Sequence, residues 1–295
     1  MKVDNILETK IKSQEIPELN FPISSTDATI TLLLSKYRFF ALLVFVYLIG
    51  ALIIFALSIG SGFEMQVFFV LMIVPILVVG NRFQKLRELV EQKFFQQFAH
   101  ANNYPYMDKM LELPRTGALF YTSLLNPRAL WLEHVISGEF KGEKIRLYCR
   151  CEQGPKNYVI KRTVFEIDYN VVLPTMLLKP DWNNSYAKPY FKKEYHLSLE
   201  GDFDHHFDLY VEKEFEIEAL QIFTPDIMER LKTDWSRFVV EFSQDRVFIY
   251  TGGMITKRKD LEHMYSFAQY LIEKLGPVTE RMESGVVAMR QRYNR

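Results

Sequence analysis

EKIRLYCRCE, residues 143 to 152, places Ile145, Leu147, Cys149 and Cys151 on one side of an extended chain and Lys144, Arg146, Arg150 and Glu152 on the other. Successive side chains of a strand point to opposite faces, so this period of two predicts a β-strand with an apolar inner face and a wet outer face. GEFKGEK (138–144) just before it supplies a turn centred on Gly142. After Gly154 and Pro155 a second strand is predicted, with Thr163, Phe165, Ile167, Tyr169 and Val171 on one face. The stretch 180–193, PDWNNSYAKPYFKK, reads as a long polar and aromatic loop, and strand signal returns in EYHLSLEG with Tyr195, Leu197 and Leu199 inward.

Further along, Glu216 to Phe223 is weakly helical. Thr224-Pro225-Asp226 then announces a helix: a hydroxyl to cap it, proline at its first position and an acid in its first turn. That helix is expected to run to about Lys232. FVVEFSQDRVFIY (238–250) predicts a hairpin turning at Ser243 to Asp245, with Val240 and Phe242 facing Val247 and Ile249. Leu261, Met264, Tyr265, Ala268, Leu271, Ile272 and Leu275 recur every three or four residues, which makes an amphipathic helix stopped by Gly276-Pro277. Strands that neighbour one another in sequence, joined by short connections with the helices late, define an α+β domain on an antiparallel sheet over residues 104–277. Residues 278–295 follow as a charged segment.

Upstream, the chain changes character. FFALLVFVYLIGALIIFALSIG, residues 39 to 60, holds no charge; as a helix it extends roughly 33 Å against a bilayer core of about 30 Å. A second uncharged run, 65–80, contains Gln66 and a Pro75 that kinks it, and only Ser61 to Glu64 separate the two. The expected arrangement is a transmembrane hairpin within 36–81. Lys36 and Arg38 precede it, Arg82, Lys85 and Arg87 follow it, and the intervening loop has no basic residue. The positive-inside rule therefore puts both termini in the cytoplasm, with Arg82, Lys85 and Arg87 at the lipid headgroups. The first run starts too far into the chain, and is too long, for a cleaved leader. Residues 1–35 are expected to form a mobile cytoplasmic tail. Phe83, Leu86, Val90, Phe94, Phe98 and Ala101 make the stripe of an amphipathic stalk helix over 82–103, ending at Asn102, Asn103 and Pro105.

LSLEGDFDHHFDLYV (197–211), EALQIFTPDIMERL (218–231) and FVVEFSQDRVFIY together resemble a family of uncharacterised bacterial domains in which two membrane helices precede an α+β domain. Glu200, Phe203, Phe207, Thr224, Pro225 and Met228 occupy the family's recurring positions. The resemblance implies architecture and membrane location and carries no activity, catalytic residue or cofactor with it.

The 36 basic and 36 acidic residues balance, so no net field favours nucleic acid. Two cysteines, one residue apart, do not make a disulfide framework and read as reduced buried thiols. The densest group of ligand-type side chains is Asp202, Asp204, His206 and Asp208, which would share one face if the segment were extended, as ligands of a divalent ion do. A solvated strand face explains the same spacing. No catalytic constellation, resident metal or cofactor is expected. The favoured function is a membrane-anchored cytoplasmic interaction or scaffold module. Its partners are the lipid bilayer and either an unidentified protein or a second copy, and Trp182, Tyr186 and Tyr190 lie on the partner surface. The alternative is a metal-dependent, hydrolase-like enzyme using the Asp202 to Asp208 group.

Overall fold

The computed structural model describes residue 19, residues 45–47, 49–50 and 53 within the first apolar run, and then 88–111, 130–153, 158–181, 195–199 and 201–293. The chain divides into two compact units, one of 22–98 with 256–258, the other of 1–21, 99–255 and 259–295. In the first unit, residues 45–47, 49–50 and 53 are helical. Their apolar side chains are uncovered: Phe45 is 64% exposed and Ile53 54%. The expected spans 39–60 and 65–80 otherwise lie outside the described residues, as does nearly all of the tail 1–35. Among the described residues no helix is long and apolar enough to cross a membrane.

The described part of the stalk, α1 (88–101), is helical with Phe94, Phe95 and Phe98 buried. It ends where the asparagines predict. Asn103 takes a left-handed backbone (φ 55°), and the Tyr104 amide donates back to the Ala99 carbonyl at 2.8 Å.

The second unit carries seven strands among the described residues: β1 (Tyr106–Met110), β2 (Leu130–Phe140), β3 (Glu143–Gln153), β4 (Val159–Pro180), β5 (His196–Leu197), β6 (Phe207–Val211) and β7 (Val239–Tyr250). All pairings are antiparallel, in the order β1-β2-β3-β4-β6-β5, with β7 also on β4. With helices α2 (Glu216–Ile222), α3 (Pro225–Thr233) and α4 (Arg258–Tyr293), this is an α+β fold. The β2–β3 hairpin turns on Lys141 and Gly142, both at positive φ (54° and 85°), which is the two-residue turn whose twist suits the flanking strands.

β4 organises the sheet. Its first half pairs with β3, its second half with β6, and β7 runs along nearly its whole length on the other side. Irregularities between Asp168 and Leu173 and between Leu173 and Met176 interrupt the β4–β7 register, and Pro174, which cannot donate to a ladder, sits within the second. Opposite, Gln244 bends β7 through φ 56°. SQDR is therefore not the turn of a hairpin: 239–250 is one strand. Polar residues there mark the point where two long strands bend together, not where one chain reverses.

The bend curls the sheet over its own inner face. Val164 and Leu177 of β4, with Val239 and Tyr250 of β7, belong to one buried cluster with Leu132, Val135, Tyr148 and Phe248. A straight strand would hold Val164 and Leu177 about 43 Å apart. On the outer face Phe140, Phe165 and Tyr265 of α4 meet edge to face, at centroid distances of 5.2 Å and 4.8 Å to the tyrosine. Every residue of the predicted stripe from Leu261 to Leu275 is buried.

α4 does not stop at Gly276-Pro277; it continues to Tyr293. An internal proline costs about 3 kcal/mol through its missing N–H and ring clash. Burial of Leu275 and Val278 on either side offsets that cost, and the Thr279 hydroxyl donates to the Gly276 carbonyl at 2.8 Å.

Candidate functional site

The concave face of the curled sheet is where the polar half of each alternating strand comes together. From β3 it takes Arg146, Tyr148, Arg150 and Glu152; from β4 Arg162, Glu166 and Lys179; from β7 Glu241, Arg246 and Tyr250; from β6 Asp208 and Tyr210; and from β5 His196. The alternation of 143–152 holds as predicted, but its polar side is not a wet outer face. Arg150 and Tyr148 are fully buried, and Arg162, Glu166, Lys179 and Glu241 nearly so. Charged groups survive burial only when paired, and these are paired in rows.

Arg150 and Arg162 stand opposite each other on β3 and β4 and converge on one carboxylate. Arg150 Nη1 donates to Glu152 Oε2 at 2.7 Å, and Arg162 Nη1 lies 3.5 Å from the same oxygen. A strand repeat away, Arg146 and Arg246 both donate to Glu166 Oε1, at 2.6 and 3.0 Å. At the far end Lys179 Nζ meets Asp208 Oδ2 at 2.9 Å, while His196 Nε2 lies 3.4 Å from Asp208 Oδ1. The inner tyrosines stay protonated. Burial first, and then the Glu166 carboxylate, push the Tyr148 hydroxyl well above the ordinary range; burial and Glu241 do the same to Tyr250. Two of these rows set two guanidinium groups against a single carboxylate and the third sets one lysine against Asp208, and the contacts tie neighbouring strands together.

The four ligand-type residues of 202–208 do not share a face. Residues 203–205 form a 3-10 turn, and β6 begins only at Phe207. Asp202 accepts from Lys232 Nζ at 2.6 Å, a contact that holds its carboxyl below the usual range. Asp204 accepts from the Ser198 hydroxyl and, at 3.1 Å, from the Leu199 amide. His206 Nε2 stands 3.8 Å from Asp202, and Asp208 turns to Lys179 on the inner face. Among the described residues no three His, Cys, Asp or Glu side chains are placed to hold a metal ion. Phe203 and Phe207, the recurring aromatics, are buried and stack at 5.1 Å.

Cys149 and Cys151 are buried free thiols with sulfurs 4.0 Å apart. The neighbouring thiol and burial push the Cys151 thiol above the ordinary thiol range. Trp182, Tyr186, Tyr190, Arg82, Lys85 and Arg87 lie outside the described residues.

One surface escaped the sequence reading. α2 and the 3-10 turn before it present Ile217 and Leu220, 70% and 52% exposed, among Glu212, Glu214, Glu216 and Glu218. Among the described residues none of these four carboxylates forms an ion pair. The signal was the string EKEFEIEAL, whose acids alternate with Phe215, Ile217 and Ala219.

No protein-family model matches the chain, and no curated protein does. Among solved structures it is similar to the crystal structure of the mycobacterial trehalose monomycolate transport factor A, TtfA. The identity is 10%, the TM-score 0.45, and the alignment covers 63% of this chain and 94% of that one.

Proposed function

We propose that this protein is a membrane-anchored interaction or scaffold module. Residues 39–60 and 65–80 form the anchoring hairpin, Arg82, Lys85 and Arg87 stay with the inner headgroups, and the α+β domain faces the cytoplasm, where it engages a protein partner. The observation that carries this reading is the helical stretch within 45–53. Phe45, Val46, Ile49 and Ile53 all project uncovered from a run that contains no charge. Leaving such side chains in water costs about 1.5–3 kcal/mol each relative to burial, and lipid removes that cost. The competing hydrolase-like reading is disfavoured by the dispersal of Asp202, Asp204, His206 and Asp208 to separate partners.

The test is topology. Expressed in cells, the full chain should resist alkaline carbonate extraction, and a cysteine placed at Ser61 should react with an impermeant maleimide added outside. A reporter joined after Arg295 should be active only inside. Release of the chain by carbonate, or a reporter active outside, would overturn the proposal.

A further inference from the structure

We propose that the ridge formed by Glu212 to Leu220 is a docking surface for a basic amphipathic helical segment of a partner protein. This rests on the reading of the chain as an interaction module and names the surface and the chemistry of what it takes. Three observations point there. Ile217 and Leu220 lie three residues apart on α2, on one side of the helix, and both are more than half exposed while Ala219 and Ile222 are buried. Around them, Glu212, Glu214, Glu216 and Glu218 have no ion-pair partner among the described residues, and Lys213 offsets only one of those charges. Three other surface acids of the same unit are, by contrast, engaged: Asp202 with Lys232, Asp226 with Lys274, Asp260 with Arg237.

The charge pattern selects the occupant. A second copy meeting this ridge through a two-fold axis would set its four carboxylates against the same four, so self-association here is repelled. An inner membrane leaflet carries negative charge and repels the ridge in the same way. What complements it is a helix with aliphatic side chains three and four residues apart and Lys or Arg beside them. The aliphatics cover Ile217 and Leu220, and the cations meet the glutamates. The contact is small, so it forms quickly, is steered by charge and weakens with salt.

The experiment uses the full chain in phosphatidylcholine nanodiscs and a fluorescent synthetic peptide with leucines at helical spacing and lysines on its polar face. Protein-free discs set the background. Saturable binding that weakens as salt is raised is expected. Ile217→Ser with Leu220→Ser should weaken it by about tenfold, and Glu214→Lys with Glu218→Lys should abolish it while creating affinity for the same peptide carrying glutamates. Because all four positions are on the surface, tryptophan fluorescence should show the variants folded as the parent. Equal binding by parent and variants would overturn the proposal. So would equal binding of a peptide with serines for its leucines, or no binding above empty discs. Incorporation of the chain into discs is scored separately, so failure of the ridge and failure of the anchor are told apart.

Discussion

Gly138 on β2 has a tyrosine in the place of a side chain. A Cβ there would lie 2.5 Å from both Cδ1 and Cε1 of Tyr104 and 3.2 Å from its Cγ. Ordinary carbon contacts are about 3.5–4.0 Å, so Gly138→Ala forces the ring away by about 1 Å. The ring is tethered, because the Tyr104 hydroxyl donates to the Glu139 carbonyl at 3.0 Å. Losing that bond costs about 1 kcal/mol, and overpacking about 1–3 kcal/mol. Tyr104 is only half-buried and can swing outward, which favours the lower end, about 2 kcal/mol in all. For a unit of this size that corresponds to a fall of about 4–8 °C in apparent Tm. The assay is near-ultraviolet circular dichroism of the full chain in detergent, heated at one fixed scan rate, for wild type, Gly138→Ala, Tyr104→Ala and the double variant. Steric conflict requires Gly138→Ala to become nearly neutral once Tyr104 is alanine, since Gly138 does not need a positive φ. An equal loss in both backgrounds would refute the reasoning.

Three further outcomes follow from packing and charge. Thr163→Val keeps shape but removes the acceptor for the Ile255 amide, held at 2.7 Å. It should cost about 1–3 kcal/mol and speed hydrogen exchange at Ile255, and unchanged exchange would dismiss the contact. Glu166→Gln removes the carboxylate shared by Arg146 and Arg246, whose partial exposure lets water compensate in part, so a loss of about 1–3 kcal/mol is expected in urea unfolding. His263 is depressed by burial first and then by Arg237. Its unfolded form therefore binds a proton more readily than its folded form, and stability is lost as pH falls through about 6.5. His263→Gln should flatten the stability profile in that window, and an unchanged slope between parent and variant would remove His263 as the cause.

Much of the fold was legible because period is a direct consequence of backbone geometry. The alternation of 143–152, the Gly142 turn, the Pro225-Asp226 helix start and the stripe from Leu261 to Leu275 all signal through local residues, although the Thr224 hydroxyl donates to the Asp226 carboxylate and does not cap the helix. What failed depended on distant partners. Arg150 and Glu152 read as solvent-facing because charge ordinarily is. Only the bends at Pro174 and Gln244, which fold one strand face inward, turn them into buried ion pairs. The same bend made SQDR look like a reversal of the chain. Pro277 looked like a stop because burial of Leu275 and Val278 is invisible to local propensity. The Asp202 to Asp208 group failed for the opposite reason: closeness in sequence stood in for convergence in space. The glutamate ridge escaped because acids alternating with apolar residues suit no single period.

The continuity of β4 also sets the order in which the protein can be completed during synthesis. Glu166 and its partner Arg246 are 80 residues apart in the chain, so one long edge of β4 waits for β7 to be made. At roughly 5–20 residues per second that delay is about 4–16 s, with a bent, largely apolar strand open to mispairing. Premature termination before β7 should therefore yield aggregates and not a smaller folded domain.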